Sequence, residues 1–305
     1  MEYMKLSEAA EKWGLTSRRV RILCAENRID GVIRRGKLYM IPVGTPRPAD
    51  GRRLRKLRND KQSDLIRSIE AKKAELNRRR PLTPGEVKKL NEQFMIEYTH
   101  DSTAIEGNTL TLRETALVLE GMTIDQKPLK DHLEAVGHKD AFLYIEEIAK
   151  QDVPLNESVI KQIHTLVLMN SAEDRGIYRR IPVVISGAYT TPVQPYLIEE
   201  KMNELLLQNG IRKQTMHPIK RIAQFHLEFE GIHPFIDGNG RTGRLIMNLD
   251  LIRNGFPAIN IKFADRKKYY DAFDAFYRDK NANAMTELIA GYISERLDMF
   301  LSILE

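Results

Sequence analysis

From Ser63 to Glu305, apolar residues recur every three to four positions almost without interruption. A chain patterned that way buries one stripe of each segment against its neighbours, which yields stacked helices rather than a sheet. The period predicts helices over 63–79, 83–105, 112–122, 131–150, 156–170, 197–209, 216–231, 241–254, 266–279 and 284–303. One stretch breaks it. Residues 182–192, Pro-Val-Val-Ile-Ser-Gly-Ala-Tyr-Thr-Thr-Pro, are β-branched around a Ser186-Gly187 turn. That pattern predicts a short β-hairpin. The expected fold class is mainly α with one small β excursion.

At 305 residues and 42% hydrophobic, the chain has material for a large core or two ordinary ones. No run approaches the roughly 18 apolar residues of a membrane span. The acidic, polar start Met1 to Glu8 does not read as a secretory signal. Cys24 is the only cysteine, which excludes an intrachain disulfide and a two-cysteine metal site. A reducing cytoplasm and no membrane partner are expected.

Charge divides the chain. Residues 1–62 hold 16 Lys and Arg against 7 Asp and Glu, whereas the rest holds 32 against 35. A basic end of this kind suits a polyanion. Within it, Ser7 is a candidate cap for a helix over 8–13, and Gly14-Leu15-Thr16 is a turn. Thr16 or Ser17 can cap a second helix running to about Asn27, with Arg18, Arg19 and Arg21 at its start. Val32-Ile33 and Leu38 to Ile41 flank a basic turn, Arg34-Arg35-Gly36-Lys37. Residues 1–42 resemble the winged helix–turn–helix of the excisionase and MerR type. The resemblance implies that Arg18, Arg19 and Arg21 face a DNA major groove while Arg34, Arg35 and Lys37 touch phosphates. The domains expected are 1–48, a winged helix–turn–helix; 49–62, a basic linker; and 63–305, a helical domain.

The chemistry concentrates in His233-Pro-Phe-Ile-Asp237-Gly238-Asn239-Gly240-Arg241-Thr-Gly-Arg244. Glycines just before an apolar helix let backbone N–H groups converge into an anion nest, aided by the helix dipole. Arg241 and Arg244, one turn apart, add two guanidinium forks suited to phosphate. A carboxylate such as Asp237 beside a polyphosphate serves to hold Mg²⁺. His233, four residues earlier, can take a proton from an attacking hydroxyl. Together these are the parts of a phosphoryl or nucleotidyl transfer site.

Positions 233–244 match the pattern His-x-Phe-x-(Asp/Glu)-Gly-Asn-Gly-Arg-x-x-Arg at every defined place, and the chain here resembles the Fic family. Gly176-Ile177-Tyr178-Arg179 and the 182–192 segment resemble that family's lead-in and flap. Arg266 to Asp279 resembles the helix after its core. The resemblance implies an α fold that transfers AMP from ATP to a hydroxyl of a target protein or of the enzyme itself. Carried over, His233 is the general base and Asp237 holds Mg²⁺. Gly238, Asn239 and Gly240 bind the α- and β-phosphates, Arg241 contacts phosphates, and Arg244 reaches the γ-phosphate. The flap, Val183, Val184, Ile185, Ser186 and Gly187, clamps a Ser, Thr or Tyr target main chain by strand addition. A homodimer is implied by family analogy alone.

Ser102-x-x-x-Glu106-Gly107 reads by itself as a helix end. Beside the Fic match it resembles that family's inhibitory motif, which implies that Glu106 pairs with Arg244 and brakes the wild type. Tyr269 and Tyr270 are candidates for the adenine pocket. His226 and Glu230 are spaced as helix neighbours, and a zinc hydrolase is not indicated, because there is no His-Glu-x-x-His. The competing readings are a DNA-binding regulator whose Fic domain senses nucleotide, and a Fic enzyme that transfers UMP or phosphate or removes AMP.

Overall fold

The computed structural model describes residues 2–304 apart from 27, 37, 49–50, 152 and 186–188, with backbone alone for 35 and 51–59. The chain divides into two compact units, Met1–Lys61 and Gln62–Glu305.

The first unit holds strand β1 (Tyr3–Lys5), helices α1 (Leu6–Trp13) and α2 (Ser17–Ala25), and strands β2 (Ile33–Arg35) and β3 (Leu38–Pro42). The strands form an antiparallel sheet in the order β1-β3-β2, with Met4 opposite Ile41 and Ile33 opposite Met40. Met4, Ala9, Trp13, Val20, Leu23 and Ile41 close its core, with Cys24 buried among them. Gly14 turns the chain at φ +61°, and Thr16 caps α2 by accepting from the Arg19 amide at 3.3 Å. Ser7 is not a cap. It lies inside α1, whose start is tied by the Lys5 amide donating to Glu8 at 2.9 Å. β1 has no counterpart among the expected elements. It is three residues long, too short to show a period.

Helix α3 runs Gly51–Arg78, so the linker expected over 49–62 is helical from Gly51 onward. After Gly51 the run of Arg, Leu and Lys contains only strong helix formers. There follow α4 (Pro84–Ile105), α5 (Leu112–Leu119), α6 (Leu129–Lys150), α7 (Glu157–Val167), α8 (Ile198–Arg212), α9 (Pro218–Ile232), α10 (Asn239–Arg253), α11 (Arg266–Asp279) and α12 (Asn283–Ile303). Capping boxes start α4 (Thr83 with Glu86) and α5 (Thr111 with Glu114). α5 stops three residues early, because the chain must reach a left-handed Gly121 at φ +93°.

Helix α10 is central. Leu245, Ile246, Met247, Leu249 and Leu251 are buried around its whole circumference, and it packs on α6, α7 and α9. Arg221 and Asp250, both buried, tie α9 to α10 through two hydrogen bonds, and Asn209 joins α8 to them at 2.8 Å. The two arms of the predicted hairpin, 182–185 and 189–192, carry no assigned strand, and Ser186, Gly187 and Ala188 lie outside the described residues. Among the described residues no helix is long and apolar enough to cross a membrane.

Candidate active site

The site forms where α9 ends and α10 begins. His233 terminates α9 in the left-handed region, at φ 52°, with its amide donating to Phe229 at 3.0 Å. Two residues later the Phe235 ring is fully buried and stacks on His164 of α7, with centroids 3.6 Å apart. The Asn239 amide bridges back to Phe235: Oδ1 accepts from its N–H and Nδ2 donates to its carbonyl, both at 2.9 Å. Phe235 and Asn239 therefore pin the loop between the helices, and Asn239 contributes structure rather than a free side chain. Gly238 caps α10 at φ 78°, leaving the first-turn amides of a long buried helix without intrahelical partners.

His164 adds a brace with no sequence signal beyond the residue itself. Its Nδ1 accepts from the Gly176 amide at 2.8 Å, so Nε2 carries the proton and donates to the Asp237 carbonyl at 2.9 Å. Burial pushes its pKa down to about 4 and keeps the ring neutral.

Asp237 and Arg241 make a second layer. Asp237 Oδ1 accepts from the Gly238 amide at 2.6 Å and from Arg241 Nη2 at 3.1 Å. Burial pulls its pKa up, but Arg241, that amide and Lys130 outweigh it and hold the carboxyl below its ordinary value. Arg241 is buried, with Nη1 3.0 Å from Glu134. Its guanidinium is thus held between two carboxylates. Among the described residues Asp237 Oδ2 pairs with Lys130 alone, at 3.8 Å, and its side chain is 47% exposed. One accessible carboxylate oxygen suits Mg²⁺, which takes one or two protein carboxylates together with substrate phosphates and water. Among the described residues no group of three or more His, Cys, Asp and Glu gathers to hold a metal unaided.

A cavity of about 310 Å³ opens over the start of α10, walled by His233, Gly240, Arg244, Glu106, Glu230 and Ile185, with Tyr269, Tyr270, Phe273 and Tyr277 of α11 opposite. Asp237, Gly238, Asn239 and Arg241 are not on this wall. Arg244 is buried and fully engaged. Nε donates to Ser102 Oγ at 2.9 Å, and Nη2 donates to the Ser102 carbonyl at 2.7 Å and to Glu106 Oε1 at 2.8 Å. Burial opposes its charge, but Glu106 and Tyr269 prevail and hold its pKa above the ordinary value. Glu106 caps α4, and Gly107 turns the chain away at φ +100°. The Glu106 carboxylate lies against Gly240 so closely that a Cβ there would overlap it. It therefore sits on the N-terminus of α10, where an anion is most favoured.

Beneath the wall, His226 Nε2 shares a 2.7 Å hydrogen bond with the Tyr269 hydroxyl. Burial and the Arg244 charge push its pKa down to about 3. Glu230 is buried, and its Oε2 is 3.8 Å from His233 Nδ1. Desolvation and the Glu106 charge push it up to about 8. Burial, with the Arg179 charge adding to it, lowers the His233 pKa, which favours the neutral imidazole that a base requires. Of the flap residues, Ile185 reaches the cavity, Val184 is exposed, and Val183 lies in the irregular arm. Within the first unit, Arg18, Arg21 and Arg34 are exposed and Arg19 is half-buried, while Lys37 and the Arg35 side chain lie outside the described residues.

Residues 154–251 match the Fic/DOC family. The chain is 30% identical over 249 residues to the "Protein adenylyltransferase Fic" of Drosophila melanogaster, covering 78% of this chain and 50% of that protein. It is 32% identical over 210 residues to the "Protein adenylyltransferase fic-1" of Caenorhabditis elegans, covering 68% and 41%. The chain spans about half the length of the curated relatives it matches. Among solved structures, residues 134–508 of C. elegans Fic-1 superpose with a TM-score of 0.74 at 26% identity, over 82% of this chain and 75% of that one. A Fic-domain-containing signaling protein of Bacteroides thetaiotaomicron gives 0.67 at 28%, over 79% and 95%.

Proposed function

We propose that this chain, which carries a Fic/DOC family domain, is a protein adenylyltransferase held in check by its own Glu106. The observation that carries the reading is one cavity uniting a neutral histidine, the start of a buried helix, and an arginine already holding a carboxylate. The target's Ser, Thr or Tyr oxygen attacks the α-phosphorus of ATP. The bond from that phosphorus to the α,β-bridging oxygen breaks, AMP stays on the target, and pyrophosphate leaves. His233 takes the hydroxyl proton. The amides at the start of α10 face the phosphates, and Arg244 pairs with the γ-phosphate once Glu106 has moved. Asp237 would hold Mg²⁺, which neutralises phosphate charge. Arg241, locked by Glu134 and Asp237, acts by orienting Asp237. Tyr269 and Tyr270 border the end of the cavity that takes the base. The flap holds the target backbone, and the enzyme itself is an available target.

Glu106 competes with the γ-phosphate for one guanidinium and places a negative charge where the phosphates must lie. In the wild type, labelling with α-³²P-ATP and Mg²⁺ should be weak. Glu106→Gly should raise self-labelling at least tenfold, and adding His233→Ala should abolish it. Equal label in wild type and Glu106→Gly would defeat the brake. Label that survives His233→Ala would defeat the assigned base.

A second role rests on the first unit. The α1–turn–α2 arrangement presents exposed Arg18 and Arg21, with Arg34 on the adjoining hairpin. We infer that residues 1–48 bind DNA and 63–305 carry the transferase. Arg18→Ala with Arg21→Ala should weaken a DNA mobility shift and reduce its salt dependence. An unchanged shift would remove these residues from the contact.

A further inference from the structure

Arg179 is 5% exposed and, among the described residues, pairs with no carboxylate. All its acceptors are main-chain carbonyls. Nε donates to His233 at 2.8 Å, Nη1 to Ile181 at 3.0 Å, and Nη2 to Val193, with a longer contact to Ile232 at 3.4 Å. Its own amide donates to Pro234 at 2.9 Å. Ile232 and His233 lie at the C-terminus of α9, where carbonyls lack helical partners and the dipole favours a cation. Ile181 and Val193 are the two feet of the flap. One buried fork therefore joins both feet to the turn that carries the base.

We propose that Arg179 is a positioning residue for the transfer: by fixing the flap's feet to the carbonyl of His233, it holds the target main chain and the base in one register. The proposal rests on the transferase reading above. A planar guanidinium reaches acceptors in three directions at once, whereas a lysine offers donors from a single atom. The charge has its own consequence. His233 faces Arg179, Glu230 from its own helix, Glu106 from α4 and Asp237 from the loop, with Arg244, Arg266 and Asp274 on the cavity wall. Arg179 is the cation that opposes imidazolium formation there. Removing it while the other groups stay favours the imidazolium, so the His233 titration moves to higher pH.

The test uses Arg179→Lys and Arg179→Gln in the full Glu106→Gly chain. Self-labelling gives the rate at saturating ATP and the half-saturating ATP concentration. Histidine ¹⁵N NMR of the unliganded proteins gives the His233 titration. Both variants should lose about tenfold or more in saturating rate, with half-saturating ATP within threefold. The His233 titration should rise in the Gln variant and stay near the parent's in the Lys variant. A folded variant within twofold of the parent rate would overturn the proposal. So would a loss of ATP affinity matching the loss of rate, or a His233 titration unmoved in Arg179→Gln. If Arg179→Gln does not fold, the rate split in Arg179→Lys decides. If the Glu106→Gly parent carries no label, the transferase reading has failed, and the titration alone judges the placement of Arg179 beside His233.

Discussion

At the scale of single residues, the site is set by one collision that does not happen. Gly240 lies in the first turn of α10, where an alanine would ordinarily be the better helix former. A Cβ here would overlap the Glu106 carboxylate and approach Arg244 Nη1 to 3.0 Å, so with any larger residue the Glu106 side chain has to shift. The overlap belongs to the Glu106-bound arrangement and not to the helix. Gly240→Ala should therefore destabilise the wild-type chain by about 1–3 kcal/mol through overpacking. In the Glu106→Gly background the same change should be close to neutral or slightly stabilising. Chemical denaturation of the four chains closes this double-mutant cycle. An equal effect of Gly240→Ala in both backgrounds would mean that Glu106 does not rest on α10 in solution.

At the scale of elements, legibility followed sequence distance. The period along 63–305 marks every long helix of the second unit to within a few residues, because each buries one stripe over several turns. It misplaces the start of α3, where a basic run looks like a linker but has no residue that ends a helix. It misses β1 and misassigns Ser7, where a strand of three residues leads directly into α1. In the candidate site, the closeness of His233, Asp237, Gly238 and Gly240 is legible because they fall within twelve consecutive positions. The Glu106–Arg244 pair spans 138 residues, and only a resemblance brings its ends together on paper. His164 and Glu134 carry no sequence signal as site residues, and Arg179 and Glu230 are visible only as part of a lead-in and as a helix neighbour of His226. His164, Glu134 and Arg179 act through a partner on another element or through a backbone carbonyl, which leaves no spacing to read, whereas Glu230 meets His233 three residues on at the end of the same helix. Within the motif the residues divide between two roles. Gly240, His233 and Arg244 face the cavity, whereas Phe235, Asn239 and Arg241 hold the loop that presents them.

At the scale of the larger unit, this construction makes acid sensitivity a property of the whole core. His138, His164 and His226 are buried and neutral, with burial the leading cause of each lowered pKa; His164 falls to about 4 and His226 to about 3. An unfolded histidine titrates near pH 6.5. Their contribution to stability is therefore present above about pH 6.5 and is lost as the pH falls toward the folded values. Glu230 works in the opposite sense. Its folded pKa, pushed up to about 8, lies above that of an unfolded glutamate, so burying it destabilises more as the pH rises from about 4 to 8. Between about pH 6.5 and 5 the lowered histidines lose stability on acidification while Glu230 regains it, and the histidines, being more numerous, set the sign as a net loss. Amide hydrogen exchange along α10 reports this core directly. Its protection should fall steeply between pH 6.5 and 5, after correction for the intrinsic exchange rate. His226→Gln keeps a partner for Tyr269 and removes one titrating group, so it should flatten that slope. Glu230→Gln removes the opposing group and should steepen the slope. If protection of α10 is level across this range, or if the two variants move the slope in the same direction, these groups do not govern the core's response to acid.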